Sequence, residues 1–208
     1  MKNENKQSVT FTDDQSAAID ELISFIAATW SDKDFIRGLC GPGGTGKTFV
    51  TKYIIENCKY SHSVIKCTAP THKACRVLSN SIGNIRNVET IQSTFGLRLD
   101  LKLENFDPER PQFNPIAGPK LDNIKLLIID EASMLPAKLV KYIINTCKKL
   151  NIKIIFCKSN ICIHIRYLHL FQIQAANLQI ECHPAGSSDN KKDSRTIPPE
   201  SENACTFM

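Results

Sequence analysis

One short motif constrains the fold of this chain more than any other feature. Residues 41–48 read GPGGTGKT, and the spacing G-x-x-x-x-G-K-T is that of a phosphate-binding loop, the P-loop. An apolar run at 35–40 precedes the motif, and a helical pattern at 49–57 follows it. The glycines allow backbone N–H groups to face inward around phosphates, and the following helix adds its N-terminal dipole. The segment therefore predicts a strand, a loop and a helix that together bind a nucleoside triphosphate.

The polar residues of the motif have distinct predicted roles. The Lys47 ammonium can reach the β- and γ-phosphates as a point charge, and the Thr48 hydroxyl can hold Mg²⁺. A Gly-rich turn that binds nothing is the alternative, and the strand-to-helix context argues against it. The residues predicted to contact the nucleotide are Gly41, Pro42, Gly43, Gly44, Thr45, Gly46, Lys47, Thr48 and Phe49.

A second element that bears carboxylates lies further along the chain. The apolar run 126–129 ends in Asp130 and Glu131, which is the pattern of a Walker B strand. At the carboxyl end of a strand beside the P-loop, Asp130 would hold Mg²⁺ partly through water, and Glu131 would polarise the attacking water. With Lys47, these two side chains are the predicted catalytic residues. Both elements together are typical of Mg²⁺-dependent phosphoryl transfer.

Hydrophobic periodicity predicts an α/β fold around a parallel sheet. A capped amphipathic helix is expected at 10–29, where Thr12 acts as N-cap and Gln15 completes a capping box. Strands and helices then alternate in the β-loop-α-β-α order of nucleotide-binding sheets. The predicted strands are 35–40, 64–68, 125–130 and 152–156, and the predicted helices are 47–57, 73–80 and 137–150. The expected architecture is a RecA-like P-loop NTPase sheet with flanking helices.

Two further segments depart from this alternation. Leucines alternate with charged residues from 97 and prolines follow as far as 119, so 97–120 is predicted to be a small β-hairpin-like insertion. After Phe156 the pattern changes again, which sets the predicted P-loop domain at 9–156. Residues 157–184 form an atypical segment that fits neither strand nor helix, and 185–208 is polar and predicted to be a disordered, irregular C-terminal tail.

The composition, with 42% apolar and 23% charged residues, is that of an ordinary soluble protein. No apolar run is long enough to cross a bilayer, and the polar N-terminus does not predict a signal peptide. Nine scattered cysteines, an odd number, indicate reduced thiols and a cytoplasmic location, or the host cytoplasm for a viral protein.

Residues 1–156 contain 21 Lys and Arg against 16 Asp and Glu, so this part carries the whole net charge of +5. The excess is compatible with a polyanionic partner.

Five short segments stand in a defined order along the chain, and they read TDDQ at 12–15, the P-loop at 41–48, APTHKA at 69–74, TIQS at 90–93 and DEASM at 130–134. As a set they resemble the first motor domain of superfamily 1 DNA helicases, in the RecD/Dda-like, 5′-to-3′ branch. The resemblance covers residues 9–156. It implies ATP and Mg²⁺ as cofactors, single-stranded DNA as partner, and hydrolysis coupled to movement along that strand. Replication or repair proteins are further partners of such enzymes.

The resemblance also assigns roles to individual side chains. Gln15 corresponds to the glutamine that hydrogen-bonds the adenine edge, which is compatible with its capping-box role. Residues 69–74 correspond to a segment that contacts single-stranded DNA, and a plain strand-to-helix turn is the alternative. Gln92 stands where the family usually has His. The predicted DNA-contacting residues are Pro70, Thr71, His72, Lys73, Thr90 and Gln92.

Two other regions of the sequence are less clear: the role of one is left open by the resemblance, and the other departs from the family. The insertion 97–120 falls where these helicases carry the hairpin that splits the duplex, and a surface insertion without that role is the alternative. The family continues with a Gly-Asp-x-x-Gln-Leu motif, whereas residues 157–162 read CKSNIC. On this resemblance, the second motor domain and its arginine finger are expected to be missing from the sequence. Residues 157–208 are expected to be an out-of-frame or mis-spliced continuation, or else a genuine extension that covers an exposed sheet edge.

Three functions are compatible with these patterns. The leading interpretation is an ATP-binding, helicase-like domain that is truncated and weak or inactive alone. The second is a non-catalytic module that binds DNA or a partner in a nucleotide-dependent manner. The third is another P-loop ATPase or a small kinase, although Asp130 and Glu131 favour water over another acceptor.

Overall fold

The computed structural model describes residues 10–83, 88–99, 113–158 and 205–207, with the backbone alone at Leu99, Phe113 and 205–207. Five α-helices are present in these residues: α1 Asp13–Ala27, α2 Lys47–Asn57, α3 His72–Ile82, α4 Ile91–Thr94 and α5 Ala137–Lys149. The strands are β1 Ile36–Cys40, β2 Ile65–Ala69, β3 Glu89–Thr90, β4 Leu97–Leu99, β5 Phe113–Pro115, β6 Leu126–Ile129, β7 Lys153–Lys158 and β8 Cys205–Phe207.

A parallel sheet forms the centre of the fold. Its six strands lie in the order β3-β2-β6-β7-β1-β8, and every neighbouring pair is parallel. Because the strands are parallel, the carboxyl ends of β1, β2 and β6 reach the same edge of the sheet, where ligands of open α/β sheets bind. The predicted α/β class with a parallel sheet and flanking helices is confirmed.

The hydrophobic core joins α1, α2 and α3 to the sheet. A strand buried on both faces reads as a continuous apolar run, and β6 has four buried residues in succession. The helices contribute apolar stripes at helical spacing. Core members from these elements include Leu22, Ile26, Val50, Ile54, Leu78, Ile128 and Ile155.

Side-chain hydrogen bonds satisfy backbone groups at both ends of helix α1. The predicted capping box is confirmed, since Thr12 Oγ1 accepts from the Gln15 amide and Gln15 Oε1 accepts from the Thr12 amide. At the other end, the buried Lys153 of β7 donates to the carbonyl oxygens of Phe25 and Ala28. This lysine satisfies terminal carbonyls that the helix itself cannot. Burial lowers the pKa of Lys153.

The small β insertion is also confirmed in its described part. Strands β4 and β5 pair in antiparallel fashion, with Arg98 opposite Asn114. Gly96 accepts backbone hydrogen bonds from Ile116 at 2.8 Å and Ala117 at 3.2 Å, which closes the base of this hairpin. Residues 100–112, between the two strands, lie outside the described residues.

The region after Phe156 differs in part from the sequence-based expectation. Strand β7 continues through Cys157 and Lys158, which are buried and pair with Leu39 and Cys40 of β1. The pattern break therefore lies two residues beyond the end of the last predicted strand, which was 156. Most of 157–184 and 185–208 lies outside the described residues, apart from β8, which pairs with β1.

Candidate functional site

The P-loop leaves β1 and enters α2 through two left-handed glycines. Gly44 and Gly46 have φ angles of +83° and +84°, a region that L side chains rarely adopt. The Gly41 amide donates to the Lys158 carbonyl at 3.3 Å, and Thr45 Oγ1 donates to the Pro42 carbonyl at 3.0 Å. Backbone conformation and short-range hydrogen bonds therefore determine the shape of the loop.

Lys47 and Thr48 are the first two residues of helix α2, which follows the loop. Lys47 Nζ donates to the Gly41 carbonyl at 2.8 Å and to the Pro42 carbonyl at 2.7 Å, so the ammonium lies inside the curve of the loop. Thr48 is partly buried in the first turn of α2, and the N-cap Gly46 makes no side-chain cap. The first amides of α2 are thus not capped by the N-cap side chain, which suits anion binding at a helix N-terminus.

Asp130 lies at the carboxyl end of β6, two strands away from β1. Its amide donates to the Thr68 carbonyl of β2 at 2.9 Å, which ties the start of this loop to the sheet. Burial raises the pKa of the Asp130 carboxyl, while the Glu131 amide and the charge of Lys47 oppose that rise. Asp130 and the P-loop with Lys47 both follow the carboxyl ends of parallel strands, β6 and β1. The fold therefore places the predicted catalytic residues at one edge of the sheet.

Glu131 adopts an unusual backbone conformation directly after Asp130. Its φ angle is +50°, and its amide donates to Asp130 Oδ1 at 2.9 Å. A non-glycine residue in the left-handed region is uncommon and is found where the surrounding structure imposes it. The bond to Asp130 orients one carboxylate oxygen and leaves the Glu131 side chain partly exposed at the same edge.

The oxygen donors at this edge suit Mg²⁺. Mg²⁺ prefers one or two carboxylates or hydroxyls from the protein and takes its other ligands from phosphates and water. Thr48 and Asp130 provide such a hydroxyl and such a carboxylate. In the described part of the chain, no group of three or more His, Cys, Asp or Glu side chains could hold a metal by itself. The residues present therefore fit an ion that is bound together with a nucleotide.

Gln15 connects α1 to the P-loop. Its Nε2 donates to the Thr45 carbonyl at 3.0 Å, in addition to the capping-box bonds already described. One amide proton and one lone pair of the side chain remain available for further hydrogen bonds. A Cβ at Gly46 would lie 2.9 Å from Gln15 Nε2, so the glycine is required for this contact as well as for its φ angle.

An aromatic contact that the sequence did not indicate joins the residue before α1 to helix α2. The Phe11 ring, just before α1, lies 5.5 Å from the Phe49 ring and 4.8 Å from the Tyr53 ring, measured between centroids. Phe49, predicted to contact nucleotide, is 43% exposed beside the loop. The spacing of Phe49 and Tyr53 by four residues was the available signal, but it does not identify the third ring.

The predicted DNA-contacting residues after β2 lie together at the start of α3. Thr71 is the N-cap and accepts from the Ala74 amide at 3.1 Å. His72 and Lys73 are exposed, and Pro70 is partly exposed. The plain strand-to-helix turn that the sequence left as an alternative is present, and it leaves these side chains at the surface.

The second predicted DNA-contacting segment is more enclosed. Thr90 is buried, and its hydroxyl caps α4 by accepting from the Ser93 amide at 3.2 Å. Gln92 is partly exposed on this single turn. Next to it, Glu89 binds the Ser93 hydroxyl and two lysines from other elements, a contact set that sequence reasoning missed because its members are far apart in the chain.

No helix among the described residues has the length and apolar character needed to cross a membrane. The predicted compartment stays a prediction.

Comparison with known proteins places this geometry in a family. The family model described as AAA domain matches residues 10–158. The ATP-dependent DNA helicase dda of Enterobacteria phage T4 is 36% identical over 107 residues, which are 51% of this chain and 23% of that protein. An uncharacterized protein of Methanocaldococcus jannaschii is 28% identical over 156 residues, 74% of this chain and 13% of that protein. The chain thus spans a quarter or less of either relative.

Among solved structures, the large terminase of a thermophilic bacteriophage matches with a TM-score of 0.41 and 14% identity, over 83% of this chain and 44% of that one. The family match covers more than half of the chain and contains every predicted site residue. The chain belongs to the AAA domain family, and its resemblance to the motor domain of superfamily 1 DNA helicases of the RecD/Dda-like branch is confirmed.

Proposed function

We propose that this domain binds Mg²⁺-ATP at the edge formed by β1 and β6 and hydrolyses it in response to single-stranded DNA. The observation that supports the proposal most is the geometry of one sheet edge, where a left-handed glycine loop with Lys47 inside its curve follows β1 and Asp130 follows β6. These side chains are 83 positions apart in the sequence, and their presence at the same edge has a direct use in triphosphate binding. Helicase-type ATPase motors use this arrangement.

The nucleotide-binding groups would act as follows. Lys47 exchanges its bonds to the loop carbonyls for the β- and γ-phosphates, and the first amides of α2 bind the same oxygens. Thr48 and Asp130 would hold a magnesium ion, Asp130 partly through water, and the ion would supply positive charge that neutralises the phosphates. Glu131 accepts a proton from the attacking water.

The side chain of Gln15 would select the base. Its remaining amide proton and lone pair match the N7 acceptor and the N6 donor of adenine. Because the same side chain donates to Thr45, base recognition would be linked to the shape of the P-loop.

The nucleic-acid side would use the start of α3 and the turn of α4. His72 and Lys73 are exposed cationic or polar groups at the same sheet edge as the P-loop, which suits contacts with phosphates. The relative from phage T4 is an ATP-dependent DNA helicase by name, which supports a DNA partner. Unwinding is not part of this proposal, because the chain spans 23% of that protein.

The deciding experiment measures ATP binding and ATP hydrolysis by the full chain, with and without oligo(dT). We expect ATP binding that requires Mg²⁺, and slow hydrolysis that oligo(dT) accelerates. Glu131→Gln should keep ATP affinity and lose hydrolysis, because the amide cannot accept a proton.

The outcomes of this experiment separate the alternatives. Binding of ATP and DNA without turnover would favour a nucleotide-dependent binding module. Hydrolysis that oligo(dT) does not change would favour another P-loop ATPase. A wild-type chain that binds no Mg²⁺-ATP would overturn the assignment.

A further inference from the structure

A single carboxylate connects three separate elements on the side of the sheet near β3. Glu89 Oε2 accepts from Ser93 Oγ of α4 at 2.7 Å and from Lys120 Nζ at 3.2 Å. Glu89 Oε1 lies 3.5 Å from Lys66 Nζ of β2. Lys120 Nζ also lies 3.2 Å from Ser93 Oγ, so the hydroxyl and the charged groups form one network.

Helix α4 needs such support because it has only four residues. A single helical turn fixes many dihedral angles for few hydrogen bonds and is unstable by itself. The apolar side of the turn is held by the buried Ile91 and Phe95. Its polar side is held by the Thr90 cap and by the bond from Ser93 to Glu89.

The same network includes the base of the β4–β5 hairpin. The Lys120 amide donates to the Thr94 carbonyl at 2.8 Å, so the chain leaving β5 is bound to α4 by backbone as well as by side chain. Lys66 extends the connection to β2, and the end of β2 pairs with β3, with Ala69 opposite Thr90, just before the exposed residues at the start of α3. Glu89 therefore joins the Thr90–Ser93 turn and the hairpin base to the strand that leads into α3.

We propose that Glu89 is a positioning residue for single-stranded DNA: its carboxylate holds the Thr90–Ser93 turn in place relative to the start of α3 and fixes the hairpin base to both. This inference rests on the proposed function, since it presumes that these segments bind DNA. Glu89 does not contact the strand, because a carboxylate repels phosphate. Its contribution is to orient the groups around it.

The sign of the charge makes the idea testable. Removing Glu89 raises the local charge by one unit, and a purely electrostatic effect would strengthen phosphate binding. A positioning role predicts the opposite. We expect Glu89→Ala to weaken oligo(dT) binding about 3- to 10-fold, the effect of losing about 1 kcal/mol. Glu89→Gln should weaken oligo(dT) binding less than Glu89→Ala, because the amide oxygen of the glutamine can still accept a hydrogen bond from Ser93.

The experiment uses the full chain, fluorescently labelled oligo(dT) and anisotropy, with ATP affinity measured in parallel. Glu56→Gln is the matched control, since it also removes one negative charge but breaks only an exposed pair with Lys52 at 3.9 Å. The control should bind oligo(dT) as tightly as the wild type or slightly more so. The loss of oligo(dT) affinity in the double variant Glu89→Ala/Ser93→Ala should be smaller than the sum of the two single losses, because both changes break the bond between Ser93 and Glu89.

Hydrogen exchange provides a readout that needs no ligand. Glu89→Ala should speed amide exchange at 93–96 and 116–120 and leave α2 unchanged. If the wild type binds no oligo(dT), the DNA part of the proposed function fails, and exchange still decides whether Glu89 joins the two segments. Unchanged exchange in both segments, or oligo(dT) binding by Glu89→Ala as tight as wild type, would overturn the inference.

Discussion

The two halves of the candidate site share one sheet edge but are built differently. On the nucleotide side, left-handed glycines and a strand end position Lys47 and Asp130. On the side of the predicted DNA contacts, a four-residue helix is held by the carboxylate of Glu89 and the charges around it. Backbone conformation is insensitive to salt and pH, whereas an ionic network is sensitive to both. The comparison therefore predicts that the two halves can be disrupted independently.

Lys47→Ala should cause the largest loss of affinity, and the loss should concern ATP and not oligo(dT). Charge-assisted hydrogen bonds contribute about 1.5–3 kcal/mol each, so ATP affinity should fall roughly 10- to 100-fold or more. Calorimetric titration with Mg²⁺-ATP measures the loss. The variant Lys52→Ala, which changes a partly exposed lysine of the same helix, should bind ATP normally. Equal ATP affinity in Lys47→Ala and wild type would contradict the site.

Two glycine substitutions, one in each half of the site, should have effects of intermediate size on stability and on the binding of one ligand each. Gly46→Ala forces a side chain into φ +84° and toward Gln15, and Gly96→Ala forces one into φ +61° with a Cβ 2.4 Å from the Ala117 carbonyl oxygen. Each should lower the free energy of unfolding by about 1–3 kcal/mol in chemical denaturation. Only Gly46→Ala should weaken ATP binding, and only Gly96→Ala should weaken oligo(dT) binding.

Gly118→Ala is the control for this pair, because a Cβ there meets no atom within 4 Å and φ is not positive. It should leave stability and both affinities unchanged. Loss of ATP affinity in Gly96→Ala would show that the halves are not independent.

The smallest expected effect is a pH dependence on the side of Glu89. The Ser93 hydroxyl, followed by the lysine charges, lowers the pKa of Glu89 below its ordinary value of 4.5. A carboxyl with a lowered pKa in the folded protein stabilises the fold above the unfolded pKa, and that stabilisation is lost as pH falls through the folded pKa. The stability difference between wild type and Glu89→Gln should therefore be constant near neutral pH and shrink below about pH 4.5.

Urea denaturation at several pH values measures this difference. A stability difference that stays the same down to acid pH would mean that the Glu89 charge is not part of the network's contribution. Glu56→Gln, from an exposed pair, should show no comparable trend.

Sequence reasoning predicted the elements whose signals are local. The P-loop spacing, the capping box of Thr12 and Gln15, and the apolar run of β6 each lie within a short window, and the structure has all three. The boundaries were less accurate: β7 continues to Lys158, because pairing with β1 stabilises two residues whose own pattern does not indicate a strand. The roles assigned to all the predicted site residues in catalysis and ligand binding stay predictions.

The sequence by itself determined the class of fold and the positions of the P-loop and of the strand that ends in Asp130, because spacing and periodicity encode strand, loop and helix locally. Only the tertiary structure decided how distant side chains combine. Lys153 caps a helix that ends 126 positions earlier in the chain, and Lys66, Glu89, Ser93 and Lys120 form one network. Such contacts depend on how the sheet brings remote segments together, and no local pattern reports that arrangement.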